Sequence, residues 1–251
     1  MPRLALLIIT FNEEENITAC IKSAPFADEI VVVDSGSTDH TVALAKELGA
    51  KVYYHKMTSF AEQRNIALEH ATADWVLFLD ADERISPKLA VTIQRLMNTS
   101  HHYAGFRLPR RSYFMGQWVR GWYPDRVIRI FERSKGRYTG IVHEAVHIEG
   151  SVDTLYEDII HYPYKDIEAY MNKMNKYTTM AARELLEKGR KASLTDILFR
   201  PLFATFKMLI LRKSIFDGVV GFLISILSGV YVLLKYSKLY FLQKRSKEQL
   251  P

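Results

Sequence analysis

The stretch Trp75-Val76-Leu77-Phe78-Leu79-Asp80-Ala81-Asp82-Glu83 decides how this chain is read. Four apolar residues, Val76 to Leu79, run directly into carboxylates. A short, continuous apolar run reads as a strand buried on both faces, as in a parallel sheet. Side chains alternate along a strand, so Asp80 and Asp82 are expected to point the same way from its end. Two carboxylates at the open end of a buried strand suit a hard divalent cation, Mg2+ or Mn2+, which takes oxygen ligands. The plainer alternative is that Asp82-Glu83 only starts a turn before Ser86-Pro87. The flanking sequence decides between them.

Upstream, strand and helix signals alternate. Residues 4–9 read as a buried strand ending at Thr10-Phe11-Asn12-Glu13, where Asn12 and Glu15 fit a capping box for a helix reaching about Ser23. Residues 29–33, rich in β-branched side chains, form a second strand that stops at Asp34-Ser-Gly-Ser-Thr-Asp39. Ser37 is the expected cap of the following helix, which closes at Gly49. Lys51–Tyr54 is a third strand, and Ser59 with Glu62 opens a helix over Phe60–His70. Downstream, Ser86 and Pro87 start a helix over Pro87–Met97. The first 97 residues therefore read βαβαβαβα, an α/β doubly wound, mostly parallel sheet. Ligands of such sheets bind beyond the carboxyl ends of the strands. The three most polar ends, 10–13, 34–39 and 80–83, would line one crevice.

The balance of the chain has another texture. Residues 103–165 are rich in arginine and aromatics with short, antiparallel-like alternations, and are expected to close the crevice over the second substrate. The domain reading is 1–165 for the catalytic unit, with 1–100 as nucleotide-binding half and 101–165 as acceptor half, followed by a helical region 166–251. Net charge is +6 and the pI about 9.2, which suits an anionic partner such as nucleotide phosphate or an acidic membrane surface. Cys20 is the one cysteine, so no disulfide forms within the chain.

Four segments taken together, Thr10-Phe-Asn-Glu13, Val33-Asp-Ser-Gly-Ser-Thr-Asp39, Ala61-Glu-Gln-Arg-Asn65 and Leu79-Asp-Ala-Asp82, resemble the signature set of the family 2 glycosyltransferases with the GT-A fold. Trp122-Tyr-Pro-Asp-Arg126, Arg129-Ile-Phe131 and Val142-His-Glu144 are similar to the branch of lipopolysaccharide core β-1,4-glucosyltransferases that act on inner-core heptose. The resemblance implies an inverting transfer from a UDP-sugar to a hydroxyl of a membrane glycolipid. It places Thr10, Asn12, Glu13, Asp34, Arg64 and Asp80 at the nucleotide sugar. Asp82 becomes the direct ligand of Mg2+ or Mn2+, with Asp80 and His161 as further candidates. Glu144 becomes the general base, ahead of Asp125 and Asp158, and Asp125, Arg126 and Trp122 face the acceptor. A carboxylate at a strand end can accept from a nucleobase N–H or ribose hydroxyls, as this requires.

The C-terminal third is read for membranes. Residues 218–234 carry no charge, the short end of a bilayer span, and basic residues flank them on both sides. The expected behaviour of about 194–240 is a helix lying in or dipping into the interface of the inner membrane's cytoplasmic face. Anionic lipid and the aromatics Phe203, Phe206, Tyr231, Tyr236 and Tyr240 would hold it there. Three alternatives stand beside this reading. Another lipid-linked glycan could be the acceptor. A nucleotidyltransferase would want a basic, glycine-rich loop where Asn12-Glu-Glu-Glu15 stands, and a non-catalytic membrane adaptor would not need Asp80, Asp82 and Glu144. Nucleic acid is not expected as a partner, because the basic residues sit in the acceptor half and beside the apolar C-terminus.

Overall fold

A computed structural model describes the backbone of residues 2–140 and 144–248, and their side chains as far as 245. In chain order the elements are β1 (Leu4–Thr10), α1 (Ile17–Lys22), β2 (Glu29–Asp34), α2 (Thr41–Glu47), β3 (Lys51–Tyr54), α3 (Phe60–His70), β4 (Trp75–Asp80), β5 (Glu83–Ile85) and α4 (Pro87–Met97). There follow β6 (Gly105–Phe114), β7 (Gln117–Trp118), β8 (Asp125–Glu132), β9 (Gly136–Thr139), β10 (Ala145–Ile148), β11 (Val152–Thr154) and β12 (Ile159–His161). The chain ends in α5 (Ile167–Glu187), α6 (Leu194–Phe206) and α7 (Gly218–Glu248). It divides into two compact units, Met1–Arg111 with Pro124–Tyr162 and Ser112–Tyr123 with Pro163–Pro251.

The first unit is an α/β fold on one sheet, with strand order β3-β2-β1-β4-β8-β6-β12-β5. Its first four strands are mutually parallel. The later strands turn mixed: β8 runs antiparallel to both β4 and β6, and β12 antiparallel to β5. β9 and β10 form a separate antiparallel pair.

The parallel half forms because its strands are apolar on both faces. Leu4, Leu6, Ile8, Val32, Leu77 and Leu79 pack under α1 and α4. The alternate residues Ala5, Leu7, Ile9, Val31, Val33, Val76 and Phe78 pack under α3. This is the two-residue period of a pleat with both sides covered. The register then aligns the strand ends: Thr10 pairs with Asp34, and Ile9 with Asp80.

Three local expectations are corrected. Asn12 is not a helix cap; it takes a left-handed φ of 53°, and α1 begins five residues later behind Asn16. The Asn12 side chain instead accepts from the Thr38 amide at 2.8 Å, while its own amide donates to Ser37 Oγ at 2.8 Å. Ser37 is thereby used too, and α2 starts behind His40 with no side-chain cap. Asp82 does not continue the strand: β4 stops at Asp80 and the chain turns, with the Asp80 amide donating to Glu83 Oε2 at 2.9 Å. The alternation rule therefore does not link Asp80 and Asp82.

The second unit is helical around a small core of Phe114, Val119, Tyr170, Met174, Met208, Ile224 and Leu227. Asp166 caps α5 by accepting from the Ala169 amide at 2.7 Å, and α6 opens with a full capping box of Ser193 and Asp196. The helix expected within about 194–240 is interrupted: α6 passes through a π-helical turn, Lys207–Leu211, and a short 3-10 turn, Ser214–Asp217, before α7. Among the described residues one helical stretch, Ser214–Arg245, is long and apolar enough to cross a membrane by length and composition. Of the five expected anchoring aromatics, Phe203 and Phe206 are exposed, whereas Tyr231, Tyr236 and Tyr240 are half-buried.

Candidate active site

The site grows from the end of β4. Asp80 is held by two guanidinium groups, Arg64 Nη2 at 2.6 Å and Arg129 Nη2 at 2.7 Å, one on each carboxylate oxygen. Burial opposes the charge on Asp80, yet Arg129, Arg64 and Arg110 outweigh it and hold the carboxyl well below the usual carboxylate range. Arg129 Nη2 also donates to Glu83 Oε1 at 2.8 Å, and Arg110 Nη1 reaches the same oxygen at 3.1 Å. Glu83 is fully buried. Buried charges of this kind persist only when paired and hydrogen-bonded. Burial likewise opposes charge on Arg129, and Asp80 and Glu83 keep its pKa raised.

The motif on α3 explains how Arg64 is delivered. Ser59 caps the helix by accepting from the Glu62 amide. Gln63 Nε2 donates to the His55 carbonyl at 2.8 Å, and Asn65 bonds both backbone groups of Tyr138 at 2.9 Å. Between these two fixed neighbours Arg64 is only 2% exposed. Its guanidinium lies over the rings of Phe78 and Tyr138, at 5.7 and 5.4 Å. Its Nη2 also faces Glu144 Oε1 at 3.7 Å.

Asp82 sits in the adjacent turn. His161 ends β12, whose pairing with β5 sets it opposite Glu83. That register brings His161 Nε2 to 3.5 Å from Asp82 Oδ2. The Tyr162 amide holds the Asp82 carbonyl at 2.9 Å. Asp82 Oδ1 is buried with no hydrogen-bond partner among the described residues. A carboxylate with an open oxygen beside an imidazole fits Mn2+ or Mg2+, which bind one or two protein groups and complete their shell with water and phosphate. Among the described residues no group of three or more histidine, cysteine or acidic side chains could enclose an ion alone. Asp80, with both oxygens on arginines, is the less available of the two aspartates.

The ends of β1 and β2 form a polar shelf. Asp34 Oδ2 accepts from the amides of Gly36 and Ser37 at 2.8 Å each, and Oδ1 accepts from Ser37 Oγ. Thr10 Oγ1 is buried and carries no partner among the described residues. Glu13 accepts from Asn16 Nδ2 at 2.7 Å, and its amide donates to Thr41 Oγ1 at 2.8 Å. Asp34 and Asn12 thus shape the loop with the very groups that were expected to meet the nucleoside.

On the acceptor side, Arg110 Nε donates to Asp125 at 2.9 Å, and Asp158 is ion-paired with Arg111. Arg126 is exposed. Trp122 belongs to the second unit, edge-on to Phe114 with centroids 6.2 Å apart. Glu144 is half-buried; its neighbours Val142 and His143 lie outside the described residues. Sequence reasoning missed Glu83 and Arg110 and gave Arg129 no role at the site. The available signal was Arg129 itself, a lone charge inside the apolar run Val127-Ile-Arg-Ile-Phe131.

Comparison with known proteins identifies the family and the fold. The profile of the family described as Glycosyl transferase family 2 matches residues 5–156. The chain is 32% identical to the lipopolysaccharide core biosynthesis glycosyltransferase LpsC of Rhizobium meliloti (strain 1021), over 96% of this chain and 93% of that one. The fold resembles the mannosyltransferase PcManGT of Pyrobaculum calidifontis in complex with GDP-Man and Mn2+, with TM-score 0.55 at 14% identity, covering 95% of this chain and 87% of that one. It also resembles glucosyl-3-phosphoglycerate synthase of Mycobacterium tuberculosis in complex with Mn2+, UDP and glucosyl-3-phosphoglycerate, with TM-score 0.50 at 16% identity, covering 76% and 82%.

Proposed function

The chain belongs to glycosyltransferase family 2, and from that premise we propose that it is an inverting, divalent-cation-dependent hexosyltransferase. Its donor is a UDP-sugar, UDP-glucose by the resemblance of its second half. Its acceptor is a hydroxyl of a membrane glycolipid, the inner-core heptose of lipopolysaccharide, reached at the cytoplasmic face of the inner membrane. Similarity to a lipopolysaccharide core biosynthesis enzyme supports the acceptor class.

One observation carries the reading: Asp82 with its open, buried oxygen, beside His161, next to an Asp80 clamped by Arg64 and Arg129. Asp82 and His161 would hold the cation, which supplies positive charge to the departing diphosphate. Arg64 adds fixed positive charge at the same place. Asp80, immobilised, presents its carboxylate rim to the ribose, and Thr10 offers its unpartnered hydroxyl. Glu144 accepts the proton of the acceptor hydroxyl as that oxygen bonds to the anomeric carbon. The bond from that carbon to the UDP oxygen breaks on the opposite face, which inverts the centre. Among the three base candidates, Asp125 and Asp158 are tied closely to arginines, while Glu144 stands 3.7 Å from Arg64. Geometry within reach of the transferred proton comes first in choosing a base.

A donor screen tests this. Radiolabelled UDP-sugars are offered with membrane glycolipid extracts, with and without EDTA. Transfer from one UDP-sugar that is lost with EDTA and restored by Mn2+ is the expected result. Full transfer in EDTA would refute the cation site, and no transfer from any UDP-sugar would refute the donor.

A further inference from the structure

We propose that the outward face of α6, continued through the turn to α7, is the surface by which the protein seats on a bilayer bearing anionic phospholipid. The proposal deepens the membrane-acceptor reading by naming the surface and its mode of attachment.

The side chains of α6 face the opposite way from those of a soluble helix. None of its residues is buried. Leu198, Phe199, Leu202, Phe203 and Phe206 recur at three-and-four spacing, so they share one stripe, and each is between 51% and 68% exposed. The opposite side of α6 lies against α7, where a Cβ on Gly229 would strike Thr205 Oγ1 and Pro201 O. Small and polar groups thus face the protein, and large apolar groups face outward. A surface helix in water shows the reverse pattern. Past the π-helical turn, Ile215 and Phe216 are again exposed, at 52% and 68%. A contiguous apolar face of this kind marks an interaction surface rather than ordinary exposed residues.

Charge selects the occupant. Lys207, Arg212 and Lys213 are exposed and make no ion pair among the described residues. The nearby acids are consumed: Asp196 pairs with Arg200 at 2.5 Å, and Asp217 is buried and accepts from the Arg120 amide at 2.8 Å. Phenylalanines bordered by unpaired cations suit an anionic headgroup layer.

Attachment lies in the plane of the membrane. α5, which carries Lys173, Lys176, Arg183 and Glu187, packs along α7. Lys238 of α7 donates to the Asn175 carbonyl, Thr178 and Thr179 of α5 at 2.8 Å each. A crossing α7 would drag those charges into hydrocarbon, which is costly.

The test uses the full-length protein floated with vesicles of phosphatidylcholine alone, or of phosphatidylcholine mixed with phosphatidylglycerol. Wild type is expected to bind the mixed vesicles on the order of 100-fold more tightly, from three cations. Phe199→Ser with Phe203→Ser should weaken binding at least about tenfold while the circular dichroism stays unchanged. Lys207→Glu with Arg212→Glu should abolish the preference for phosphatidylglycerol, a second route should the first variant misfold. Met171→Ser on α5 should bind as wild type does. If wild type binds and both double variants bind equally well, this surface is wrong while membrane attachment stands. If wild type binds neither vesicle, attachment itself falls. A wild-type dimer that the serine variant dissociates would instead make the face a contact between two copies of this chain.

Discussion

Asp80 and Asp82 stand two residues apart, yet their surroundings give them opposite energetics. Asp80 neutralises Arg64 and Arg129, both buried, and its backbone amide is held by Glu83. Asp80→Asn leaves two buried guanidiniums short of counter-charge, and breaking such a network costs about 3–5 kcal/mol. Asp82 keeps a buried oxygen with no partner among the described residues, the oxygen that the proposed cation would take. Asp82→Asn should abolish transfer, as should Asp82→Ala, and change the unfolding free energy by less than about 1 kcal/mol. Urea unfolding of both asparagine variants checks the contrast. Equal losses of stability would dissolve the division between a structural and a ligand-facing aspartate. Arg129→Met belongs with Asp80: it leaves Glu83, fully buried, with Arg110 as its remaining guanidinium partner among the described residues, and should unfold at lower urea than Asp82→Asn does.

Between elements, Glu29 at the start of β2 joins three pieces of chain. Its carboxylate accepts from the Thr72 amide at 2.8 Å, from Thr72 Oγ1 at 3.0 Å, and from Lys51 Nζ at 2.9 Å. Burial works against its charge, but the Thr72 and Lys51 bonds prevail and lower its pKa from 4.5 to about 2. The native carboxyl therefore binds its proton more weakly than the unfolded one. Its contribution is complete above about pH 4.5 and is lost as the pH falls toward about 2. The midpoint of thermal unfolding should drop across that window, and Glu29→Gln should flatten the drop while lowering stability at neutral pH. An unchanged acid profile in Glu29→Gln would assign the loss to other carboxylates. The same scale shows what was legible in the sequence. α3 and α4 were readable to the residue because Ser59 and Ser86-Pro87 act on amides three positions away. Asn12 and Ser37 carry the same capping chemistry, but β1 and β2 are parallel neighbours, and their loops lie close enough to bond each other instead. Short polar side chains bond whichever backbone the fold supplies, and a local window does not hold the competitor. The Asp80–Arg129–Glu83 network was hidden for the same reason, since 46 residues separate Arg129 from Glu83 in the chain.

At the scale of the molecule, the helical C-terminal region is not a tail that can be cut away. The unit that holds it draws on two separated stretches, Ser112–Tyr123 and the chain from Pro163. Its core joins Phe114 and Val119 from the first stretch to Tyr170 and Met174 of α5 and to Met208, Ile224 and Leu227 beyond residue 193. Removing residues 194–251 would strip three members from that core and uncover Phe114 and Val119, both fully buried in the intact protein. Each large apolar side chain so exposed forfeits about 1.5–3 kcal/mol, a large share of what stabilises a domain. The truncated chain should therefore bind a hydrophobic dye and elute as aggregate even without lipid. In a sedimentation assay it would pellet with membranes for a reason unrelated to attachment. The serine variants of α6 avoid this, because they change an exposed stripe and leave the core intact. Size-exclusion chromatography and dye fluorescence of residues 1–193 decide the matter. A monomeric, cooperatively melting fragment would show that α5 and the β6–β7 hairpin fold without α6 and α7, and the fragment would then report attachment directly.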